Sequence, residues 1–107
     1  KDVKIKRNVG FLGAGLNLGQ TYTHLAEKDW MIPGGSCASV GLAGLTLGVG
    51  HGFFARTHGL LIDSLIGVTA VLENGSLVEA DEENHSDLLW LAKGGGGNVF
   101  PGVVTTF

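Results

Sequence analysis

The sequence predicts an α+β fold in which an antiparallel-rich sheet is flanked by short helices. Short runs of alternating or β-branched apolar residues, bounded by turn residues, are typical of paired strands. Two other stretches have the apolar period and capping residues of short amphipathic helices. Glycine accounts for 19 of 107 residues, more than double the usual share of about 7%. Many of these glycines lie in the glycine-rich segment (residues 34–52) and the second glycine cluster (residues 94–97).

Length and composition indicate one small domain or a piece of a larger one. The chain begins with Lys1 rather than methionine and ends within an apolar run, so we expect residues 1–107 to be part of a longer protein. A net charge of −3 with scattered charged residues gives no basic patch, and nucleic acid is not expected as a partner. No apolar run approaches the roughly 20 residues of a membrane span, so no membrane partner is expected. The single cysteine excludes an internal disulfide and a multi-cysteine zinc site.

Two strands and a helix are predicted at the start of the chain. Val3–Lys6 alternates apolar and charged residues, the period of a half-buried strand, and Val9–Leu12 is a second short apolar run. The triplet Gly13-Ala14-Gly15 predicts a turn, after which Asn17 caps a helix. Lys28 falls in the last turn of this helix, where a cation interacts favourably with the carbonyl end. The predicted apolar face consists of Leu18, Tyr22, Leu25 and Ala26.

A β-hairpin is predicted beyond the glycine-rich segment. Residues 56–64 have the composition of a turn followed by a short irregular or helical piece. Residues 66–72 and 76–80 are then two β-rich runs, and the dipeptide Asn74-Gly75 lies between them. Because Asn-Gly suits the left-handed positions of a tight hairpin turn, this arrangement predicts antiparallel pairing of the two runs.

A helix and a final strand follow the hairpin. After an acidic loop at residues 81–83, Ser86 is predicted to cap a short amphipathic helix over residues 87–93. The second glycine cluster ends this helix, since a run of glycine disfavours its continuation. A last strand is predicted from Val103.

The glycine-rich segment lacks a long helical or alternating period and is predicted to be a cradle for a ligand. Seven of its 19 residues are glycine, and such a density suits backbone that turns left-handed or lies against a flat or bulky group. The run Val40–Gly44 is either a tight turn or a series of backbone N–H groups that face a phosphate or a flavin edge. Cys37 is either a small buried hydrophobic residue or a soft nucleophile beside an electrophilic ring.

Other polar residues leave two further alternatives. His51 and His58, with Cys37 and Asp63, lack the close ligand pairs of a zinc site, so no metal is predicted. Polar packing or contact with a bound ligand explains the two histidines. The second glycine cluster with Asn98 is either a flexible loop or a second passage of backbone along the same ligand.

A resemblance to a known family covers essentially the whole chain, with its motifs in the family's order. The residues that carry it are Gly35–Gly52, His58-Gly59-Leu60 with Asp63, Val68–Gly75, Asp87–Lys93 and Gly102–Thr105. They resemble the FAD-binding domain of the berberine bridge enzyme-like oxidases, which belong to the vanillyl-alcohol-oxidase, or PCMH-type, flavoprotein superfamily. The resemblance implies that residues 1–107 are the C-terminal half of a PCMH-type FAD-binding domain.

The resemblance also implies a cofactor and its binding residues. In that family the cysteine of a Gly-x-Cys-x-x-Val-Gly motif bonds to the benzenoid edge of the flavin, and a histidine from an upstream Gly-Gly-His-type segment bonds to the ring's methyl group. Cys37 stands at the cysteine position, which implies FAD held covalently through Cys37. Val40 stands where valine accompanies reactivity with dioxygen and leucine accompanies dehydrogenases. The implied cofactor-binding residues are Cys37, Val40, Gly41, Leu42, Ala43, Gly44, Leu45, His51, Asn98 and Val104.

The chain departs from the family pattern at three places. Val49 interrupts the usual triple glycine and introduces a branched side chain where backbone is expected to pass closely. The stretch that begins at Asn98 is one residue longer than the common Asn-Phe-Gly. Lys93 stands where arginine is usual, and the two differ wherever a forked contact is needed.

The resemblance implies an FAD-linked oxidase that passes substrate hydride to a covalently attached flavin and then to dioxygen, with hydrogen peroxide as product. Its expected partners are dioxygen and a small-molecule alcohol, sugar or phenolic substrate. No catalytic acid or base is assigned within the chain. The alternatives are a non-covalent FAD-dependent dehydrogenase of the same superfamily and a non-catalytic glycine-rich module. Two N-glycosylation acceptor triplets, at Asn74 and Asn84, favour a secreted or extracellular protein.

Overall fold

The computed structural model describes residues 2–94 and 99–107. Strands and helices alternate irregularly along these residues, as the α+β prediction requires. No helix in the described ranges combines the length and apolar character needed to cross a bilayer. The elements in chain order are β1 (Val3–Lys6), β2 (Val9–Leu12), α1 (Leu18–Ala26), α2 (Leu42–Leu47), α3 (Ala55–His58), a 3-10 helix (Leu61–Ser64), β3 (Val68–Leu72), β4 (Leu77–Ala80), α4 (Ser86–Ala92) and β5 (Gly102–Thr106).

The first two strands form an antiparallel hairpin, and both predicted strands are confirmed with their bounds. Lys6 pairs with Val9, which leaves Arg7 and Asn8 as the two-residue turn. Both turn residues have positive φ angles, 48° and 64°, as a two-residue hairpin turn with a right-handed twist requires. Along β1 the apolar side chains are half-buried and the lysines are exposed, which matches the predicted alternation.

The second sheet has three antiparallel strands in the order β4-β3-β5. The hairpin predicted at Asn74-Gly75 is confirmed, although its strands are shorter than the predicted runs. Gly75 has a φ of 83°, and the Asn74 side-chain oxygen accepts the Ser76 N–H at 2.9 Å. The predicted last strand, β5, pairs with the other edge of β3.

The two sheets meet where β2 and β5 end. The Leu12 N–H donates to the Phe107 carbonyl at 2.8 Å, and the Phe107 N–H donates back to Leu12 at 2.9 Å. The Ala14 N–H continues this seam with a bond of 2.9 Å to the Thr105 carbonyl. The beginning and the end of the chain are therefore held together by backbone hydrogen bonds.

Helix α1 begins at the predicted cap. The Asn17 side-chain oxygen accepts the Gln20 N–H at 2.8 Å, and the Gln20 side chain accepts the Asn17 N–H at 3.2 Å, which completes a capping box. The helix ends at Ala26, so the prediction that Lys28 lies in its last turn is wrong. Ala26 is exposed, and Thr21 instead is fully buried on the inner face. The Thr21 hydroxyl can be buried there because it donates to the Asn17 carbonyl at 2.9 Å.

The cap predicted for helix α4 is wrong. Ser86 is its first residue, and the cap position is His85, which has a φ of 50° and makes no side-chain capping bond. The helix ends before Lys93, whose ammonium group donates to the Leu65 carbonyl at 3.0 Å. Lys93 thus ties the end of α4 to the chain before β3.

Two apolar clusters form the core. The first lies between the three-stranded sheet and α4, and the second lies between the β1–β2 hairpin, α1 and α2. Phe107 packs against both clusters. The buried members of the second cluster, which supports the glycine-rich segment, are Leu12, Leu16, Leu18, Leu25, Leu42 and Leu61.

Candidate functional site

The glycine-rich segment contains a short helix that the sequence reasoning did not predict. Helix α2 occupies residues 42–47 and is only six residues long. Leu42 and Thr46 are buried on its inner face, and this burial outweighs the poor helix propensity of glycine. The stretch before it, which we name the cysteine loop (residues 36–41), is exposed along its whole length.

Helix α1 holds the cysteine loop and the residue before it through three hydrogen bonds. The Leu18 N–H donates to the Val40 carbonyl at 2.9 Å, and the Gly19 N–H donates to the Ala38 carbonyl at 2.9 Å. The Tyr22 hydroxyl donates to the carbonyl of Gly35, just before the loop. Two of the donors are amides of the first helical turn, which have no partner within the helix and must find one elsewhere.

Gly19 and Tyr22 are site-supporting residues that the sequence analysis missed. A β-carbon at Gly19 would lie 3.2 Å from the Ala38 β-carbon and 3.3 Å from its carbonyl oxygen. A glycine inside a helix, where it costs stability, was the available signal of such a close approach. Tyr22 was predicted only as part of an apolar face. Its half-buried position raises the pKa of the hydroxyl by desolvation, so the group remains a donor at neutral pH.

The Cys37 side chain is exposed. The alternative in which Cys37 is a small buried hydrophobic residue is therefore wrong. The Cys37 carbonyl accepts the Val40 N–H at 3.2 Å, which closes a tight turn around Ala38 and Ser39. The thiol is thus presented to solvent from a turn whose backbone is fixed on both sides.

Several glycines of the segment are explained by packing of the protein against itself. A β-carbon at Gly34 would lie 2.5 Å from the Tyr22 hydroxyl. One at Gly50, whose φ is 69°, would lie 2.5 Å from the β-carbon of Leu61. One at Gly52 would overlap the Gly34 carbonyl. The two ends of the glycine-rich segment therefore touch each other. Contacts within the protein are enough to explain why these three positions are glycine, and no ligand is needed to explain them.

Gly41 and Gly44 differ from these packed glycines. Both are exposed, and a β-carbon at either would meet no atom of the described chain within 4 Å. Gly44 lies inside α2, where glycine costs roughly 0.5–1 kcal/mol relative to alanine. Packing of the chain does not account for glycine at these two positions. They leave backbone without side chains at the last residue of the cysteine loop and within α2.

The other predicted residues of this stretch divide between the two faces of α2. Leu42 is buried, and its N–H already donates to the Leu16 carbonyl at 2.8 Å, so it is not a free donor for a ligand. Leu45 also faces inward, since a β-carbon at Gly35 would meet its δ-carbon at 3.3 Å. Ala43 is half-buried. The Leu42 side chain is therefore not available to a ligand, and the half-buried Leu45 side chain is only partly available.

The remaining predicted residues are placed as follows. Val40 and His51 are exposed. The Val104 side chain is buried in the first apolar cluster, so its contact with a ligand would also be made through backbone. Asn98 lies outside the described residues.

The second glycine cluster begins beside the glycine-rich segment. Gly94 has a φ of 90°, and a β-carbon there would lie 3.2 Å from a γ-carbon of Val49. Val49 itself has a φ of 76°, a backbone conformation that is strained for a β-branched residue. Val49 thus fills the junction between the two clusters. The rest of the second cluster lies outside the described residues.

Among the described residues, Cys37 belongs to no group that could hold a metal, and it does not line the cleft beside β2. In residues 2–94 and 99–107, no group of three or more His, Cys, Asp or Glu side chains is placed to hold a metal. The Asp63 carboxylate accepts the Leu60 N–H at 2.7 Å. The cleft, about 650 Å³, lies between β2, residues 30–33 and the start of β3, and reaches only Leu42 and Thr46 on the inner face of α2. The candidate site is the cysteine loop with the start of α2, because they carry the exposed thiol of Cys37 and the open glycines.

The site thus combines an exposed thiol with two glycines whose open side no described residue fills. Residues 4–81 match the model of the family described as FAD binding domain. The chain therefore belongs to the FAD binding domain family, whose cofactor is FAD. Its described fold corresponds to part of a PCMH-type FAD-binding domain.

Named relatives include a glucooligosaccharide oxidase of Sarocladium strictum, 38% identical over 94% of this chain and 23% of that protein. The structure of a berberine bridge enzyme-like protein of Physcomitrella patens aligns with a TM-score of 0.92 and 35% identity, over 100% of this chain and 24% of that one. Glucooligosaccharide oxidase from Acremonium strictum, described with a 6-S-cysteinyl, 8α-N1-histidyl FAD, aligns with a TM-score of 0.88 and 36% identity, over 99% and 23%. The chain thus spans about a quarter of the length of these relatives.

The division of the glycines predicts opposite effects of one added methyl group. We expect Gly52→Ala to lower the free energy of unfolding by about 2 kcal/mol or more, because the β-carbon overlaps backbone that cannot move aside. We expect Gly44→Ala to raise it by about 0.5–1 kcal/mol, because the helix gains propensity and meets no clash. Urea denaturation of both variants beside the wild type measures the difference. Equal stability of the two variants would contradict this division.

Proposed function

We propose that the chain is part of an FAD-dependent oxidoreductase, in which the flavin ring lies against the cysteine loop and the exposed face of α2. A single observation carries this proposal: the only cysteine is exposed on an anchored loop, next to two glycines that packing does not explain. A flat aromatic ring needs backbone without side chains along one face. Gly41 and Gly44 provide such a face.

We further propose that Cys37 is the attachment point of the flavin. Attachment replaces the Cys37 S–H bond and one ring C–H bond by an S–C bond, and dioxygen takes up the two hydrogens as hydrogen peroxide. The relative from Acremonium strictum supports this, since its FAD is described as 6-S-cysteinyl and 8α-N1-histidyl. The described residues do not bury the thiol, so a ring can reach it.

The proposed reaction is oxidation of a small-molecule alcohol, with a sugar as the favoured substrate class. Bound FAD supplies the chemistry by accepting a hydride from the substrate and passing the electrons to dioxygen. The residues of this chain hold and orient the ring and shape access to it. The named glucooligosaccharide oxidase supports a sugar substrate. Val40, which is exposed beside Gly41, supports an oxidase over a dehydrogenase through the family resemblance.

The attachment is tested by mass spectrometry of the full-length protein. We expect the proteolytic peptide that contains Cys37 to carry the mass of the flavin in the wild type, and to lose it in Cys37→Ala. Ser39→Ala is the matched control, because it removes a similar small polar side chain from the same exposed loop. Circular dichroism checks that each variant folds.

The other outcomes of this experiment separate the alternatives. Flavin that copurifies but leaves the wild-type polypeptide on denaturation would support a non-covalent member of the superfamily. A folded wild-type protein without flavin, even after incubation with FAD, would contradict the proposed function and leave a non-catalytic module.

The open face of α2 is tested by one added methyl group. We expect Gly44→Ala to weaken FAD binding by roughly tenfold, about 1.4 kcal/mol, because its β-carbon would stand between the helix and the ring. Gly10→Ala is the control, since a β-carbon at Gly10 also meets nothing within 4 Å but lies in β2. Titration of each flavin-free protein with FAD in a Cys37→Ala background, where Cys37 cannot attach the flavin, measures both affinities. Equal affinities would place the ring elsewhere.

The oxidase assignment is tested at Val40. Because Val40 is exposed, leucine adds bulk there without disturbing the core. We expect Val40→Leu to slow reoxidation by dioxygen by roughly tenfold or more, about 1.4 kcal/mol of barrier, while reduction by substrate keeps its rate. Stopped-flow absorbance measures the two half-reactions separately. An unchanged reoxidation rate would show that Val40 does not influence the reaction with dioxygen.

A further inference from the structure

The Tyr22 hydroxyl makes a side-chain bond from α1 to the glycine-rich segment, two residues before Cys37. We propose that Tyr22 is a positioning residue, which holds the start of the cysteine loop so that the Cys37 sulfur is presented to the flavin. The inference rests on the proposed function for its catalytic meaning. The hydrogen-bonded anchor itself does not depend on a flavin.

Helix α1 is a fixed platform for this anchor. Its first turn is closed by the capping box of Asn17 and Gln20. Thr21 is fully buried, and Leu18 and Leu25 lie in the second apolar cluster. Movement of the Tyr22 backbone would require the helix to leave this cluster, so the point from which the hydroxyl extends is fixed relative to the core.

The cysteine loop needs such an anchor because the core does not hold it. All six residues of the loop are exposed, and Gly34 and Gly35 precede it. Glycine has the greatest backbone freedom of any residue, so Gly34 and Gly35 have no conformational preference of their own that would fix the direction of the loop. The bonds from Leu18 and Gly19 restrain only Val40 and Ala38, beyond Cys37. Tyr22 supplies the restraint on the other side of the thiol.

The Tyr22 hydroxyl fits closely against Gly34 and Gly35. A β-carbon at Gly34 would lie 2.5 Å from the Tyr22 hydroxyl, so glycine at this position lets the hydroxyl reach the carbonyl of Gly35. A β-carbon at Gly35 would lie 3.2 Å from a Leu18 methyl group and 3.3 Å from one of Leu45. The chain at Gly34 and Gly35 therefore runs in a slot between α1 and α2. Phenylalanine at position 22 would keep the aromatic ring and lack only the hydroxyl group that donates the hydrogen bond.

The test is Tyr22→Phe, which keeps the ring and removes only the hydroxyl. Hydrogen exchange read by mass spectrometry reports on the loop without any need for flavin. We expect exchange of the peptide over residues 34–42 to accelerate by roughly two- to tenfold, the factor that corresponds to one neutral hydrogen bond. Exchange of the hairpin over residues 68–80 should keep its wild-type rate, which excludes general destabilisation as the cause.

Thr105→Val is the matched control. Its hydroxyl also donates to a backbone carbonyl, that of Thr69 at 3.2 Å, but it lies in β5 away from the loop. We expect this variant to leave exchange over residues 34–42 unchanged. In the full-length protein, supplied with FAD in its flavin-free form, we expect Tyr22→Phe to slow attachment to Cys37 by roughly the same two- to tenfold. Thr105→Val should attach flavin at the wild-type rate.

The two readouts separate failure of this inference from failure of the proposed function. Unchanged loop exchange in Tyr22→Phe would overturn the inference, whatever the flavin does. Faster loop exchange with wild-type attachment kinetics would also overturn it, because the anchor would then not position the thiol. Faster exchange in a protein whose wild type never attaches flavin would refute attachment through Cys37 and support Tyr22 as the anchor of the loop.

Discussion

The site depends on how the first turn of α1 meets the cysteine loop. A helix begins with amides that have no partner inside the helix. Here two of them, from Leu18 and Gly19, donate to carbonyls on either side of Ser39. The same bonds satisfy the start of the helix and fix the loop that carries the thiol. A change in the cap at Asn17 would thus reach Cys37 through backbone alone.

Glycine serves two different purposes in one segment. At Gly34, Gly50 and Gly52 the chain passes so close to itself that a side chain has no room. At Gly41 and Gly44 the room exists and is not filled by the described residues. Glycine weakens a helix, so its presence in α2 indicates a requirement that the fold alone does not impose. The binding of a flat ring is such a requirement.

The junction of the two glycine-containing regions carries backbone strain. Val49 has a left-handed conformation that glycine adopts readily and a β-branched residue does not. Its side chain lies against Gly94, and its carbonyl accepts the Ile62 N–H at 3.2 Å. Side-chain packing and backbone bonding therefore both hold the strained residue. The strained valine is accommodated by contacts on either side of it.

The sequence alone determined the locally encoded features of this protein. The alternation in β1, the Asn-Gly hairpin and the cap at Asn17 are fixed by neighbouring residues, so they were predictable. The family, and with it FAD, was recognisable because its motifs occur in order along the chain. Predictions failed at Lys28 and Ser86, where a helix boundary shifted by one or two residues.

Only the tertiary structure decided which predicted residues are exposed to a ligand. It exposed Cys37, Gly41 and Gly44 and turned Leu42 and Leu45 inward, because the period of α2 became visible only once its inner face was buried. It also brought Tyr22 to Gly35, across 13 positions of sequence. Spacing along a chain does not encode such an approach, since it depends on how the helices pack. The composition of the site was therefore readable from the sequence, and its orientation was set by packing.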